Sequence, residues 1–334
     1  MHGRKIKNQS RFFLGAKQTC ENDIVHSKLC NVTQAEIKSA HQRHPLPEWF
    51  KIRPPTAQFE RVRKTLKDRA LVTVCEEAHC PNLSQCWSEG TATFMVLGDT
   101  CTRGCRFCAV KTGNPHQEID RLEPLKLAQS IKKLALDYVV ITMVARDDLK
   151  DGGAEHLVRC MRAIEKENSQ TKIELLISDL RGDKKALQIV LKAKPVVLAH
   201  NIETVERLTK FVRDGRASYA QTLTLLRESK NIAPTVPTKS SVMLGLGETE
   251  AEIIQTMLDL RAAQVDILTL GQYLAPSSGH LPVREFITPV QFKKYESRAR
   301  ELGFRGVASG PLVRSSFRAD KLYKENFAHM RKTA

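Results

Sequence analysis

Three cysteines within eight residues, Cys101-Thr102-Arg103-Gly104-Cys105-Arg106-Phe107-Cys108, constrain this chain more than any other stretch. Their C-x3-C-x2-C spacing follows an apolar run, Phe94-Met95-Val96-Leu97-Gly98-Asp99, that reads as a strand. Thiolates are the usual protein ligands of iron–sulfur clusters, and four complete a [4Fe–4S] site. Three in one tight loop leave one iron open, much as a catalytic zinc keeps a position free for substrate. Gly104 is expected to let the loop fold tightly, since glycine tolerates backbone angles that other residues resist. Arg103 and Arg106 are expected to offset negative charge at the sulfurs. The bland alternatives are a zinc knuckle or three unrelated thiols. A knuckle normally completes itself with a second Cys/His pair at short spacing, so the spacing favours iron–sulfur.

A second triad lies upstream, in Cys75-Glu76-Glu77-Ala78-His79-Cys80-Pro81-Asn82-Leu83-Ser84-Gln85-Cys86-Trp87, and Arg314-Ser315-Ser316-Phe317 stands near the C-terminus. With an aromatic before its last cysteine, the downstream loop resembles the radical S-adenosylmethionine (SAM) superfamily. The two triads and the Arg-Ser-Ser-aromatic tetrad, in this order, resemble the lipoyl synthases within it, from about Pro45 to Tyr323.

The resemblance implies that Cys101, Cys105 and Cys108 hold three irons of a reducing [4Fe–4S] cluster. SAM would chelate the fourth iron, and one electron would cleave its sulfonium to methionine and a 5′-deoxyadenosyl radical. The cofactors carry the hard chemistry and the protein supplies placement and exclusion of water. Cys75, Cys80 and Cys86 would hold a second, auxiliary [4Fe–4S] cluster that is consumed as the sulfur donor. A purely structural cluster, stapling the N-terminal segment to the rest, is the plainer reading of that triad. The auxiliary cluster's fourth ligand in this family is a serine of the tetrad, here Ser316, with Ser315 as the alternative. Two sulfurs would enter at C6 and C8 of an octanoyl chain on a lysine of a carrier protein, one SAM per C–H bond. Such bonds offer no proton acidic enough for a general base, hence the radical. The implied partners are octanoylated lipoyl-carrier domains (2-oxoacid dehydrogenase E2 subunits and glycine cleavage H protein), an electron donor such as flavodoxin or ferredoxin, and an iron–sulfur carrier. Two departures stand out. Ala145 occupies a position more often acidic in the family, and Phe317 replaces a common tyrosine, removing a hydroxyl but keeping the packing.

From Phe94 onwards near-continuous apolar runs alternate with amphipathic stretches. After the Phe94 run, strands are expected at 138–144, 173–177, 196–200, 242–246 and 267–270. Helical patterns occupy 125–136, 154–165, 204–212, 219–229 and 250–263. This is an α/β chain with a parallel sheet covered by helices. Six units are too few for a closed eight-stranded barrel. They resemble the open six-stranded partial (β/α)6 TIM-type barrel of radical SAM enzymes, with N- and C-terminal extensions. The expected organisation is a flexible basic tail over 1–44 and an N-terminal extension over 45–93. The partial barrel follows over 94–303, and a C-terminal segment over 304–334. Trp49 is expected to pack on the domain and Cys160 to be a small buried residue.

In such barrels chemistry gathers where strands end, and the remaining candidates follow from that rule. Phe107 would lie beside the adenine or simply shield the cluster. Asp147 and Asp148, in Arg146-Asp147-Asp148-Leu149-Lys150-Asp151-Gly152-Gly153, would bind the SAM amino group or merely begin a helix. Asn201, after the fourth strand, is a better ribose or carboxylate contact than His200, which reads equally as a satisfied core histidine. Gly245 and Gly247 resemble the superfamily's glycine-containing SAM contact, although a lone G-x-G is weak. The stretches 272–277 and 280–283 would wall the substrate channel or only close the barrel.

Composition sets limits. The 334 residues carry no apolar run near 20 residues, so no membrane span is expected. Six of nine cysteines fall in the triads, leaving Cys20, Cys30 and Cys160, a usage that favours metal binding in a reducing compartment. The cytoplasm is expected, with an organelle left open. The first acidic residue is Glu21, so the start faintly resembles a targeting segment, and a flexible basic tail is the simpler account. A net charge of +16 attracts anionic partners, and carrier domains of this kind are commonly acidic. No interleaving of aromatic and basic residues suggests a nucleic-acid platform. The rivals are another sulfur-inserting radical SAM enzyme, such as a tRNA methylthiotransferase, and a non-catalytic iron–sulfur scaffold. The first is expected to need a further domain after Phe317.

Overall fold

Alternation of this kind is satisfied by strands that pair side by side while each intervening helix lies across the sheet's outer face. A computed structural model describes residues 45–51, 54–69, 71–77, 80–88 and 93–327. The expected basic tail, with Cys20 and Cys30, lies outside the described residues.

The N-terminal extension contains α1 (Ala57–Lys67), β1 (Val72–Thr73), α2 (Val74–Glu77) and α3 (Leu83–Ser88). Its anchor is Trp87 on α3, fully buried, whose ring lies 5.2 Å from that of Phe59 on α1. Burying a large side chain of this kind contributes about 2–3 kcal/mol. Of the neighbouring aromatics it is Phe50 that packs, edge-on against Phe286, while Trp49 remains exposed.

The barrel strands are β2 (Thr93–Val96), β5 (Tyr138–Met143), β6 (Lys172–Leu176), β7 (Val197–Ala199), β8 (Thr238–Leu244), β9 (Ile267–Gln272) and β10 (Gly306–Gly310). Two short strands, β3 (Thr100–Cys101) and β4 (Lys111–Thr112), form a separate ribbon around the cysteine loop. The large sheet runs β1-β2-β5-β6-β7-β8-β9-β10, with β1 antiparallel to β2 and the other seven strands parallel. All six expected strands form. The seventh, β10, belongs to the segment expected as the C-terminal piece. No ladder joins β10 to β1 among the described residues, so the barrel is open.

The outer layer comprises α4 (Glu123–Leu134), α5 (Ala154–Glu167), α6 (Lys184–Lys192), α7 (Glu206–Val212), α8 (Tyr219–Ile232), α9 (Glu250–Ala262) and α10 (Pro289–Glu301). Leu127 and Ile131 of α4, and Leu157 and Met161 of α5, bury against Val139 and Ile141 of β5. Thr249 and Glu252 form a reciprocal capping box at the start of α9.

The inner side holds two surprises. A last helix, α11 (Ala319–Phe327), packs Ala319, Leu322, Tyr323 and Phe327 against Val140, Val197 and Ile267. Beside it Lys239 of β8 pairs with Glu174 of β6 at 2.8 Å, and the Tyr138 hydroxyl donates to the same carboxylate at 2.6 Å. All three side chains are buried, so the ions are held by one another rather than by water. This polar start is why β8 begins at Thr238, four residues before the apolar run that marks it in the sequence.

Candidate functional site

Two constellations form, one beyond the end of β2 and one beside its start. At the first, strand ends converge on the loop carrying Cys101, Cys105 and Cys108. Two of the sulfurs accept a backbone N–H: Cys101 from Arg103 at 3.4 Å and Cys105 from Asp214 at 3.3 Å. Such bonds orient and tune sulfur ligands. Burial pushes the Cys105 thiol up and that of Cys108 up to about 12. Bare thiols there are protonated near neutrality, and a metal that binds them must displace the protons.

Arg103 is the loop's keystone, and its role differs from the one expected. Its guanidinium donates to Asp147 through Nε and Nη2, both at 2.9 Å, and to Asp179 through Nη1 at 2.6 Å. Two carboxylates therefore neutralise it, and it clamps the loop rather than presenting free positive charge. Burial pushes the Asp147 carboxyl up, but Arg103, Thr102 and Arg216 together hold it below its ordinary value. Asp148 forms a bidentate pair with buried Arg146, both bonds at 2.8 Å, and accepts from the Gln117 N–H. Both acidic candidates are thus engaged within the chain.

Further contacts come from residues that sequence reasoning passed over. Asp214 accepts from the Gly104 N–H at 2.8 Å and pairs with Arg216, whose Nη2 donates to the Thr102 carbonyl. The Arg216 bond, outweighing burial, draws the Asp214 carboxyl far below the usual range. His280 places Nε2 3.1 Å from the Cys108 carbonyl, and the Leu281 N–H donates to Arg106, so the 272–283 loop closes on the cysteines. Phe107 packs with Val212, Leu246 and Tyr273.

Asn201 is half-buried. Its amide donates to Glu203 at 3.1 Å, while its buried Oδ1 has no partner among the described residues. His200 is a satisfied core residue, bonded to the Ile177 carbonyl and the Thr222 hydroxyl. Burial lowers its pKa to about 4, leaving it neutral. Gly245 has φ +97°, and a Cβ there would collide with the Glu285 carbonyl and Gln272. The N–H groups of Gly245 and Leu246 donate to Glu248, which ties the turn. Gly247 shares the left-handed geometry, φ +103°. A third buried group, Glu123, His156 and Cys160, is structural: Glu123 accepts from the Leu97 N–H at 2.9 Å and faces His156 Nε2 at 2.6 Å.

The second constellation joins residues more than two hundred positions apart. Cys75, Cys80, Asn82, Cys86, Thr93, Arg314, Ser316 and Phe317 line one recess of about 280 Å³, mouth included. Pairing of Thr73 with Phe94 sets Cys75, just beyond β1, beside Thr93 at the start of β2. Burial, with Cys80 nearby, pushes the Cys75 thiol up to about 11. From the far end of the chain the 311–318 segment crosses Gly271, where any Cβ would strike the Val313 carbonyl. The Asn82 amide donates to the Leu312 carbonyl, and the Thr93 and Ser316 hydroxyls bond at 2.9 Å. Ser316, not Ser315, lines the recess. Arg314 donates to the Val313 carbonyl and pairs with no carboxylate among the described residues. Burial lowers its pKa, and Cys80 is the ionisable group beside it.

Residues 95–260 match the radical SAM superfamily, and residues 18–80 match the N-terminal domain of lipoyl synthase of the radical SAM family. Lipoyl synthase of Thermus thermophilus is 52% identical over 304 residues, 91% of this chain and 94% of the relative. The chain belongs to the lipoyl synthase family. Lipoyl synthase of Legionella pneumophila (strain Paris) is 51% identical over 87% of this chain and 89% of its own length. The mitochondrial lipoyl synthase of Drosophila mojavensis is 50% identical over 86% and 80%. Among solved structures, the FeFe-hydrogenase maturase HydG from Carboxydothermus hydrogenoformans superposes with a TM-score of 0.52. It is 15% identical, covering 86% of this chain and 64% of the maturase, a likeness of fold alone. Membership of the lipoyl synthase family makes this a radical SAM, iron–sulfur enzyme. No helix among the described residues is long and apolar enough to cross a membrane.

Proposed function

We propose that this lipoyl synthase family member inserts sulfur at C6 and C8 of an octanoyl chain held on a carrier-domain lysine. The sulfur would come from an auxiliary [4Fe–4S] cluster at the Cys75-Cys80-Cys86 recess. The observation that carries this finer reading is the chemistry of that recess. Three thiols and a serine oxygen line one opening, and the adjacent Arg314 guanidinium has no carboxylate among the described residues to balance it. A cluster held by anionic ligands supplies the missing negative charge, whereas a burial-penalised cation without a counter-ion is otherwise costly.

Bound at the two sites, the clusters and SAM supply one-electron cleavage and transferable sulfide. The chain's own residues do the rest. Cys101, Cys105 and Cys108 would be the ligands at the open site, and the backbone N–H groups of Arg103 and Asp214 orient the sulfurs of Cys101 and Cys105. The Arg103–Asp147–Asp179 clamp holds the loop's shape. Asn201 Oδ1 would offer SAM an acceptor that nothing else among the described residues uses, and Phe107 packs in one cluster with Leu246 of the 245–247 turn. Asp147 and Asp148 serve by fixing Arg103 and Arg146. At the recess, Cys75, Cys80, Cys86 and Ser316 are the ligands, and the weak serine ligand suits a cluster that is to be dismantled. The recess lies beside the start of the four-residue strand β2 and the cysteine loop follows its end, so the two sites flank one short strand.

The partners in this reading are acidic, octanoylated carrier domains, an electron donor of the flavodoxin or ferredoxin kind, and an iron–sulfur carrier. No disulfide joins the described cysteines, in keeping with a reducing compartment such as the cytoplasm. The test compares Cys105→Ala and Cys80→Ala after anaerobic reconstitution. Each should hold about four irons against about eight in the parent. Cys105→Ala should form no 5′-deoxyadenosine, and Cys80→Ala should form it without lipoyl product. Lipoyl product from Cys80→Ala would refute the sulfur source.

A further inference from the structure

We propose that Thr93 is a positioning residue for the Ser316 end of the recess, an inference that rests on the auxiliary-cluster reading above. Two hydrogen bonds tie the C-terminal segment to the N-terminal half of this site. The Asn82 amide holds the Leu312 carbonyl, a backbone contact indifferent to the side chain at 316. The Thr93 hydroxyl instead meets the Ser316 oxygen itself at 2.9 Å. Ser316 lies within a turn closed by the Phe317 N–H donating to the Arg314 carbonyl, and its own carbonyl accepts from the Ala319 N–H. These bonds fix its backbone but leave its χ1 free. Thr93 supplies the missing constraint, fixing the direction of the oxygen.

Thr93 is suited to the task because it cannot itself move. It opens β2, pairs with Val140 of β5, and is 3% exposed. As a β-branched residue in a strand it has a restricted χ1. It lines the recess beside Cys75, which follows the strand paired with β2, so one rigid residue stands between the first cysteine of the upstream triad and the serine of the distant tetrad. A hydroxyl carries a single proton. A Ser316 oxygen bound to iron as an alkoxide would have no proton to give, so Thr93 must be the donor, the direction the bond already has. Outer hydrogen bonds of this kind orient a ligand and set how tightly the metal is held, typically by 10–100-fold.

The experiment uses the full chain with both clusters reconstituted, and follows iron loss to a ferrous chelator under anaerobic conditions. Thr93→Val keeps the shape and removes the hydroxyl; Thr93→Ala does so without an added buried methyl, should valine fold poorly. Either should release about four of its roughly eight irons some 10–100-fold faster than the parent. Formation of 5′-deoxyadenosine should stay within about twofold, since the other loop is untouched. Thr93→Ser should restore slow release. Thr93→Val on a Ser316→Ala background should add nothing, because a residue acting through Ser316 has no partner left to position. Parent-like release from Thr93→Val and Thr93→Ala would overturn the inference, as would additive acceleration in the double variant. Failure of the reading beneath it is distinguishable: Cys80→Ala would then retain all the iron, whereas failure of this inference alone leaves Cys80→Ala short by one cluster.

Discussion

Removing the Arg103 guanidinium tests how the cysteine loop is held. Arg103→Met keeps most of the aliphatic bulk and deletes three charge-assisted hydrogen bonds. It leaves Asp179, whose side chain is 1% exposed, and Asp147, at 15%, without their shared cation, apart from the exposed Arg216 beside Asp147. Stranding one partner of a buried pair costs about 3–5 kcal/mol, a fifth or more of a typical domain's roughly 5–15 kcal/mol. Taking about 2–3 °C per kcal/mol for a large domain, the midpoint should fall by roughly 6–15 °C. The sign of the pH dependence follows from Asp147. Burial raises its pKa but the bonds, Arg103 first, lower it overall. Its stabilisation is therefore present above the unfolded value, about 3.9, and is lost as pH falls through the lower folded value. The variant's deficit should be full at pH 7 and shrink below about pH 4, as the stranded carboxyl takes up a proton. The assay is thermal unfolding of both metal-free chains, followed by circular dichroism under reductant from pH 3.5 to 7.5. A loss below about 1 kcal/mol at pH 7, the range of an exposed pair, would refute the clamp. A deficit unchanged across the range would refute the electrostatic account of it.

Substitutions at two other positions probe the sites from different directions. Gly245→Ala places a Cβ against the Glu285 carbonyl at a left-handed φ of +97°, so it should cost about 2–4 kcal/mol by strain plus overpacking; unchanged unfolding would contradict the geometry of that turn. Ser316→Ala should assemble a labile auxiliary cluster and lose sulfur insertion with radical formation partly kept, and Ser316→Cys should hold the cluster well and resist its dismantling. Normal lipoyl product from both would remove Ser316 from the ligand set, and the same defect in Ser315→Ala alone would move the role one residue upstream.

The sequence announces what is local and withholds what is distant. The strands at Tyr138, Ile173 and Ile267 are legible because each is a near-continuous apolar run, buried along most of its length. The beginning of β8 is not, because Thr238, Lys239, Ser240 and Ser241 are polar and become strand only through Glu174 and their neighbours. Strand β10 is short and built of Gly306, Val307, Ala308, Ser309 and Gly310, too weak a pattern to stand out. The cysteine triads and the Arg-Ser-Ser-Phe tetrad are visible as motifs, yet their meeting in one recess depends on a segment crossing the inner side at Gly271. Thr93, Asp179 and Asp214 carry no local signal at all. Each matters through a partner 223, 76 or 110 positions away. Arg103 was legible as a loop residue, but its two carboxylate partners were not, and they reverse the role its charge suggests.

The central claim is that sulfur leaves the Cys75-Cys80-Cys86 recess for an octanoyl chain. The direct measurement is a single-turnover reaction, run anaerobically with SAM, reductant and an octanoyl-lysine peptide, after reconstituting the clusters with heavy-isotope sulfide. Mass spectrometry of the peptide should show two added sulfurs, both heavy, with the label absent when the same reaction is run on Cys80→Ala. A doubly sulfurated product carrying light sulfur, or labelled product from Cys80→Ala, would contradict the account.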